Sequence, residues 1–406
     1  MTGDGILTAG SPGNWWAWAG AHLAPAQPPA TTEPIPPAPP AQASGQYISG
    51  TVHGPAVQAR DIHGDIIYHL GKDHAAAPDL LPWLGALWQT GADTGAAVEL
   101  RLLNHADRTL TAYFLCRATA PDQTAAIAFA AHLRDALAPA LPGLTPTAIE
   151  TQPRLSAVLE PFVPHQHGIV EIRKRLTVSR CLRNDTLLKF LAVVTPLAGG
   201  GTSWPDVWAN LAAFPAPALL SVRLEPFRVG PGLRANLAAW AREFARLAVP
   251  GPPPNPTWPK PRAADPFAAS TKKLYESAVD RYTERVFRIR MSLAASVPMS
   301  DDAAQLLANT ISAPQAGVGF TGDAPVIVRP RTPEHAMTAW RNITALNADP
   351  IGPMAPECLP EESIGDVARA LVTTADIHEA AAVFRPPYPV AGSPTVFTGD
   401  AASGVA

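Results

Sequence analysis

The chain has 406 residues, is 47% hydrophobic and carries a formal net charge of −3. Such a composition supplies real cores, so a chain disordered throughout is excluded, and the charge gives no global pull toward nucleic acid or anionic membrane. Three cysteines, Cys116, Cys181 and Cys358, stand far apart with no CxxC pair, which argues against a disulfide framework or zinc knuckle and fits buried thiols in a reducing compartment.

The N-terminus has no Lys or Arg before its apolar stretch, and no apolar run reaches the ~18–20 residues that span a bilayer. A cytosolic chain without membrane contact is expected. Residues 1–43 read as a disordered leader: Trp15, Trp16 and Trp18 form a tail docked on the body, and 24–43 is a Pro/Ala tract of polyproline character.

Residues 44–72 form the next unit. Val52-His53-Gly54 with Val57 is echoed ten residues on by Ile62-His63-Gly64 with Ile66 and Ile67, which suits short strands joined by tight bends. So small a segment gains most by stacking on copies of itself. At Val57-Gln58-Ala59 it resembles the bacterial amyloid signalling motifs related to the RHIM of animal necroptosis proteins. The resemblance implies templated cross-β stacking with a partner carrying a like motif, through Val52, Gly54, Val57, Gln58, Ile62, Gly64, Ile66 and Ile67. Pro55 and Arg60 depart from the usual pattern. His53, His63 and His69 would make such a stack weaken as the imidazoles charge below about pH 6.5.

An α+β body is expected over 79–248. A hairpin spans 97–102 and 110–118, Asp122 opens an Ala-rich helix to 138, and strands follow at 168–178 and, centrally, 187–194. Ser203 opens a helix with a Trp204, Trp208, Leu211 stripe; 219–224 is a strand and 233–247 a helix. Leu-Glu-Pro-Phe at 159–162 and again at 224–227 suggests a duplicated unit. A Pro-rich linker, 249–265, leads to a smaller α+β region, 266–406, with a helix at 267–284, a strand at 286–293 and a helix opened by Ser300-Asp301-Asp302. The fold class is thus α+β, mixed sheets with flanking helices in two subdomains after a disordered arm with a short β motif.

Residues 377–389, IHEAAAVFRPPYP, with 367–371 before them, resemble the stretch ahead of the nucleotide-binding core in HerA/FtsK-type ATPases. The residues carrying the likeness are Glu379, Phe384, Arg385, Pro387 and Pro389; Pro386 stands where that family more often has Leu. A P-loop needs glycines, then Lys and Ser/Thr. Gly199-Gly200-Gly201-Thr202, Gly230-Pro231-Gly232 and Gly317-Val318-Gly319 lack a Lys directly following, and Lys273 is the last lysine. No catalytic set, metal site or cofactor is expected. His165-Gln166-His167 reads as a surface loop, and the Arg173/Arg175 and Arg288/Arg290 pairs as solvated strand faces, so nucleic acid is not expected to bind this chain alone.

The expectation is a non-catalytic assembly or signalling component of a bacterial conflict system. It would be a homo-oligomer serving a HerA/FtsK-like P-loop ATPase in trans. The alternative is the N-terminal portion of an ATP-driven DNA translocase whose motor lies outside this chain.

Overall fold

The computed structural model describes residues 5–25, 77–199, 204–254, 260–312, 325–354, 359, 363–388 and 396–398. Its first elements overturn the disordered-leader reading over 5–25; the rest of 1–43 lies outside the described residues. Strands β1 (Leu7–Ser11) and β2 (Asn14–Pro25) form a hairpin built into the main sheet. Ala17, Ala19, Ala21 and Leu23 alternate onto a buried face, while Trp18 lies on the other. The period of two was present in WWAWAGAHL, but the aromatic cluster disguised it.

Helix α1 (Leu81–Gly91) and strands β3 (Ala97–Asn104) and β4 (Leu110–Ala120) follow, then α2 (Gln123–Leu137). The Asp122 carboxylate caps α2 by accepting from the Ala125 N–H at 2.8 Å. Next come β5 (Leu144–Ala148), α3 (Gln152–Leu159), β6 (Val170–Arg173), β7 (Leu176–Arg180), β8 (Phe190–Val194), α4 (Trp204–Ala212), β9 (Ala218–Phe227) and α5 (Pro231–Leu247). The remainder is α6 (Pro266–Arg281), β10 (Val286–Ala295), α7 (Asp301–Ile311), β11 (Val326–Val328), α8 (Pro333–Thr344), α9 (Asp366–Thr373), β12 (Thr374–Asp376) and α10 (Ile377–Val383).

The α+β class holds. Ten strands make one antiparallel sheet in the order β1-β2-β4-β3-β9-β10-β6-β11, with β5 beside β2 and β12 beside β10. The 249–265 stretch does not separate a pair of subdomains, because β9 and β10, on either side of it, pair over ten residues. Long uninterrupted ladders outweigh what the intervening prolines suggested. Strand β8 is not central: among the described residues it pairs only with β7, in a small second sheet packed under α5, α6 and α9. The two Leu-Glu-Pro-Phe copies lie at the end of α3 and the end of β9, so they mark no duplicated unit.

One sheet face is apolar. Val98, Leu100, Phe114, Val222, Leu224, Ile289 and Met291 meet α1, α2, α4, α7 and α10 there. The opposite face carries Glu99, Arg101, Arg117, Arg223, Arg290, Glu171 and Arg173, all buried beneath α3, α8 and the chain after α8.

Residues 44–72 lie outside the described residues. Their flanks do not: Pro25 is in register with Leu144, and the indole N–H of Trp83, in α1, donates to Leu137 O at 2.8 Å. Both flanks of 26–76 are therefore fastened to the same short stretch, 137–144. We expect removal of residues 1–25 to abolish cooperative urea unfolding, because it strips β4 of nine register partners; a transition like that of the intact chain would contradict the placement of β2.

Candidate functional site

The ATPase-like segment lies inside the core. Asp376 accepts from the Glu379 N–H at 2.8 Å and Glu379 from the Asp376 N–H at 3.0 Å, a capping box that starts α10. The box holds Glu379, which is fully buried, among three other segments. Its Oε1 takes the Lys174 ammonium and the Leu197 N–H, each at 2.8 Å. Its Oε2 takes the Tyr282 hydroxyl at 2.8 Å and lies 3.5 Å from Arg281. Lys174 also donates to the Tyr282 oxygen at 2.8 Å and lies 4.8 Å from that ring's centroid.

Both Lys174 and Glu379 have no solvent exposure. Burial drives the Lys174 ammonium pKa down against the pull of Glu379, and burial beside Glu379 raises the Tyr282 phenol. Burial raises the Asp376 carboxyl, but the Arg281 hydrogen bond and the Glu379 N–H outweigh it and hold it below its usual range. A Lys–Tyr–Glu set of this kind could move protons chemically, yet every carboxylate oxygen is engaged and the set is sealed. Its visible work is to tie the β6–β7 connection, the end of α6, the chain after β8 and α10 together.

Phe384 is fully buried and stacks on Trp83 with centroids 5.0 Å apart. Pro386 and Pro387 are buried, and Tyr388 meets Trp208 edge-on at 5.0 Å. Half-buried Arg385 leaves its Nε without an acceptor among the described residues. Pro389 lies outside them, as do Val52, Gly54, Val57, Gln58, Ile62, Gly64, Ile66 and Ile67.

The reading of the arginine pairs as solvated strand faces fails for Arg173 and Arg290, which are buried, while Arg288 stays exposed. Arg290 is opposite Arg223, which is opposite Glu99, and the next register step on β10's other side reaches Arg173. Like charges so placed repel, and the protein answers with acceptors. Arg290 reaches Glu99 at 2.9 Å and the Asn342 and Asn347 carbonyls; Arg101 reaches Ile343 O at 2.9 Å; Arg117 reaches Ala345 O at 2.9 Å. Arg223 donates to Leu346 O and Glu225, and Arg173 to Ile351 O and Glu171. The carbonyls of Asn342, Ile343, Ala345, Leu346 and Asn347 lie at and just beyond the C-terminal end of α8, where the helix dipole is negative. Leu346, at φ 55, turns the chain there, with its N–H on Ile343 O and the Asn347 N–H on Asn342 O. Alternating charge in strands at 99–101, 171–173 and 221–225 was the available signal; Lys174 and Tyr282 had none.

The His165 and His167 rings are 5.5 Å apart, and among the described residues no three His, Cys, Asp or Glu side chains are grouped to hold a metal. Cys116 and Cys181 are free and buried, and burial pushes the Cys116 thiol up to about 12. No helix of the described residues is long and apolar enough to cross a membrane. Comparison with protein-family models, curated proteins and solved structures gave no match.

Lys174→Met or Glu379→Leu alone should cost about 3–5 kcal/mol by urea unfolding, since each strands a buried charge, while the double variant should cost less than the sum of the two single losses. Acid should act through Asp376 and Glu225. For Glu225, burial raises the carboxyl, but Arg223 and Arg288 hold it below its usual range. Both depressed carboxyls contribute fully above their unfolded values of 3.8 and 4.5 and lose that contribution as pH falls through the lower folded values. Stability should therefore hold down to about pH 5 and then fall, less steeply in Asp376→Asn, which keeps a capping oxygen.

Proposed function

We propose that the chain is a non-catalytic assembly component of a bacterial conflict or signalling system, working in the cytosol. Residues 44–72 are its self-templating element, with Val52, Val57, Ile62, Ile66 and Ile67 as the dry face and Gln58 supplying an amide ladder. The body is the carrier and an accessory subunit for a HerA/FtsK-like ATPase provided by another chain.

The observation that carries this reading is the fastening of both flanks of 26–76 to the single stretch 137–144. An insertion held at one corner can change its pairing without unthreading β2 or α1, so the body can stay folded while the element recruits. Two further facts support it. The segment resembling the lead-in to an ATPase core is itself packed into the body through Glu379 and Phe384. The ionisable groups that gather in the body are consumed by structural partners.

The test compares the full chain with Val57→Asp/Ile62→Asp and with a variant whose residues 26–76 are replaced by a Gly/Ser linker. The intact chain should give thioflavin-positive fibres under the electron microscope. Both variants should stay dispersed with unchanged urea midpoints. Fibres from the linker variant would overturn the assignment.

A further inference from the structure

Among the described residues six large apolar side chains are exposed, and three of them belong to one small network: Leu187 is 100% exposed, Leu182 70% and Val249 50%. They do not ride on a slack loop. The β7–β8 connection is closed by the Cys181 N–H on Lys189 O at 3.0 Å, and the Leu182 N–H donates to Asp265 Oδ2 at 2.8 Å. Asp265 is fully buried and also caps α6 through the Ala268 N–H.

Arg183 completes the clamp. It sends Nε and Nη2 to the two oxygens of Asp185 at 2.9 and 2.6 Å, and Nη1 to Val249 O at 2.7 Å. Arg246 bridges Asp185 and Glu243, and Thr186 donates to Glu243 at 3.0 Å. Gly251 pairs with Arg262 by backbone bonds in both directions, and a Cβ at 251 would run into the Arg183 guanidinium. The hydrogen bonds therefore fix the loop in a shape that keeps two leucines in water. Exposed leucine costs hydration free energy, and a pinned loop has already lost the entropy that docking would otherwise cost.

The charge around the patch indicates what covers it. Arg180, Lys189, Arg242 and Lys260 are exposed about it, whereas the nearby carboxylates, Asp185 and Glu243, are occupied by Arg183 and Arg246. This end is basic although the chain as a whole is at −3. A second copy of the same patch would be repelled, and a lipid surface makes no use of a loop held in one directional geometry. We infer that the Leu182, Leu187 and Val249 patch docks a partner protein through an acidic segment bearing apolar side chains. None of the patch residues belongs to 44–72.

The test uses the full chain and labelled short peptides: an acidic amphipathic peptide with leucines along one face, its counterpart with Lys for Glu, and one with Ser for Leu. The acidic leucine peptide should bind best, weaken with added salt, and lose about tenfold or more in affinity, some 1.4 kcal/mol, against Leu187→Ser and against Lys189→Glu/Arg242→Glu. These are exposed positions, so the variants keep the fold, checked by urea midpoint. No binding at millimolar peptide, equal binding of acidic and basic peptides, or indifference to Leu187→Ser would overturn the inference. So would Leu187-dependent binding to phosphatidylserine vesicles in place of the peptides, which would make the patch a lipid contact.

Discussion

Everything on one side of the main sheet depends on a row of guanidinium groups finding acceptors. Arg223, Arg290 and Arg173 stand on neighbouring strands at successive positions of one row, with Arg101 and Arg117 close by. Without compensation such a row would push the strands apart. Glu99, Glu171 and Glu225 balance some of the charge, and the carbonyl-rich end of α8 takes much of the rest. The helix is therefore more than a lid over Leu155 and Leu219: its C-terminal end is the counter-dipole that lets a charged face be buried at all.

A second buried set, around Glu379, plays the corresponding role at the junction with the small sheet. Here a single carboxylate gathers a lysine, a phenol and two backbone N–H groups, so four separate stretches of chain meet at one residue. Both sets spend charged side chains on architecture.

Much of this was legible from residue patterns. The hairpin at 97–118, the helix opened by Asp122, and the strand at 286–295 rest on local periodicity and capping, which tertiary contacts reinforced. The failures have physical causes. Trp15, Trp16 and Trp18 hid a strand whose inward residues are alanines, because small side chains give a weak hydrophobic signal. The prolines of 249–261 looked like a boundary, yet a sheet closes wherever two ladders match, whatever connects them. The Arg173/Arg175 and Arg288/Arg290 pairs read as solvated faces, and only the later arrival of α8 and the chain after it makes Arg173 and Arg290 interior. In the same way, nothing near Lys174 foretells that its partner is Glu379.

That last separation bears on biosynthesis. As the ribosome releases the chain in order, Lys174 emerges some two hundred residues ahead of its carboxylate, and Arg173 long before Ile351 O. Until then the half-made sheet holds an unpaired ammonium and a row of unmatched guanidinium groups that resist being buried. Vectorial folding must therefore leave the charged face of β3, β9 and β10 uncovered until α8 and the chain after it arrive, so that side of the sheet closes late in synthesis.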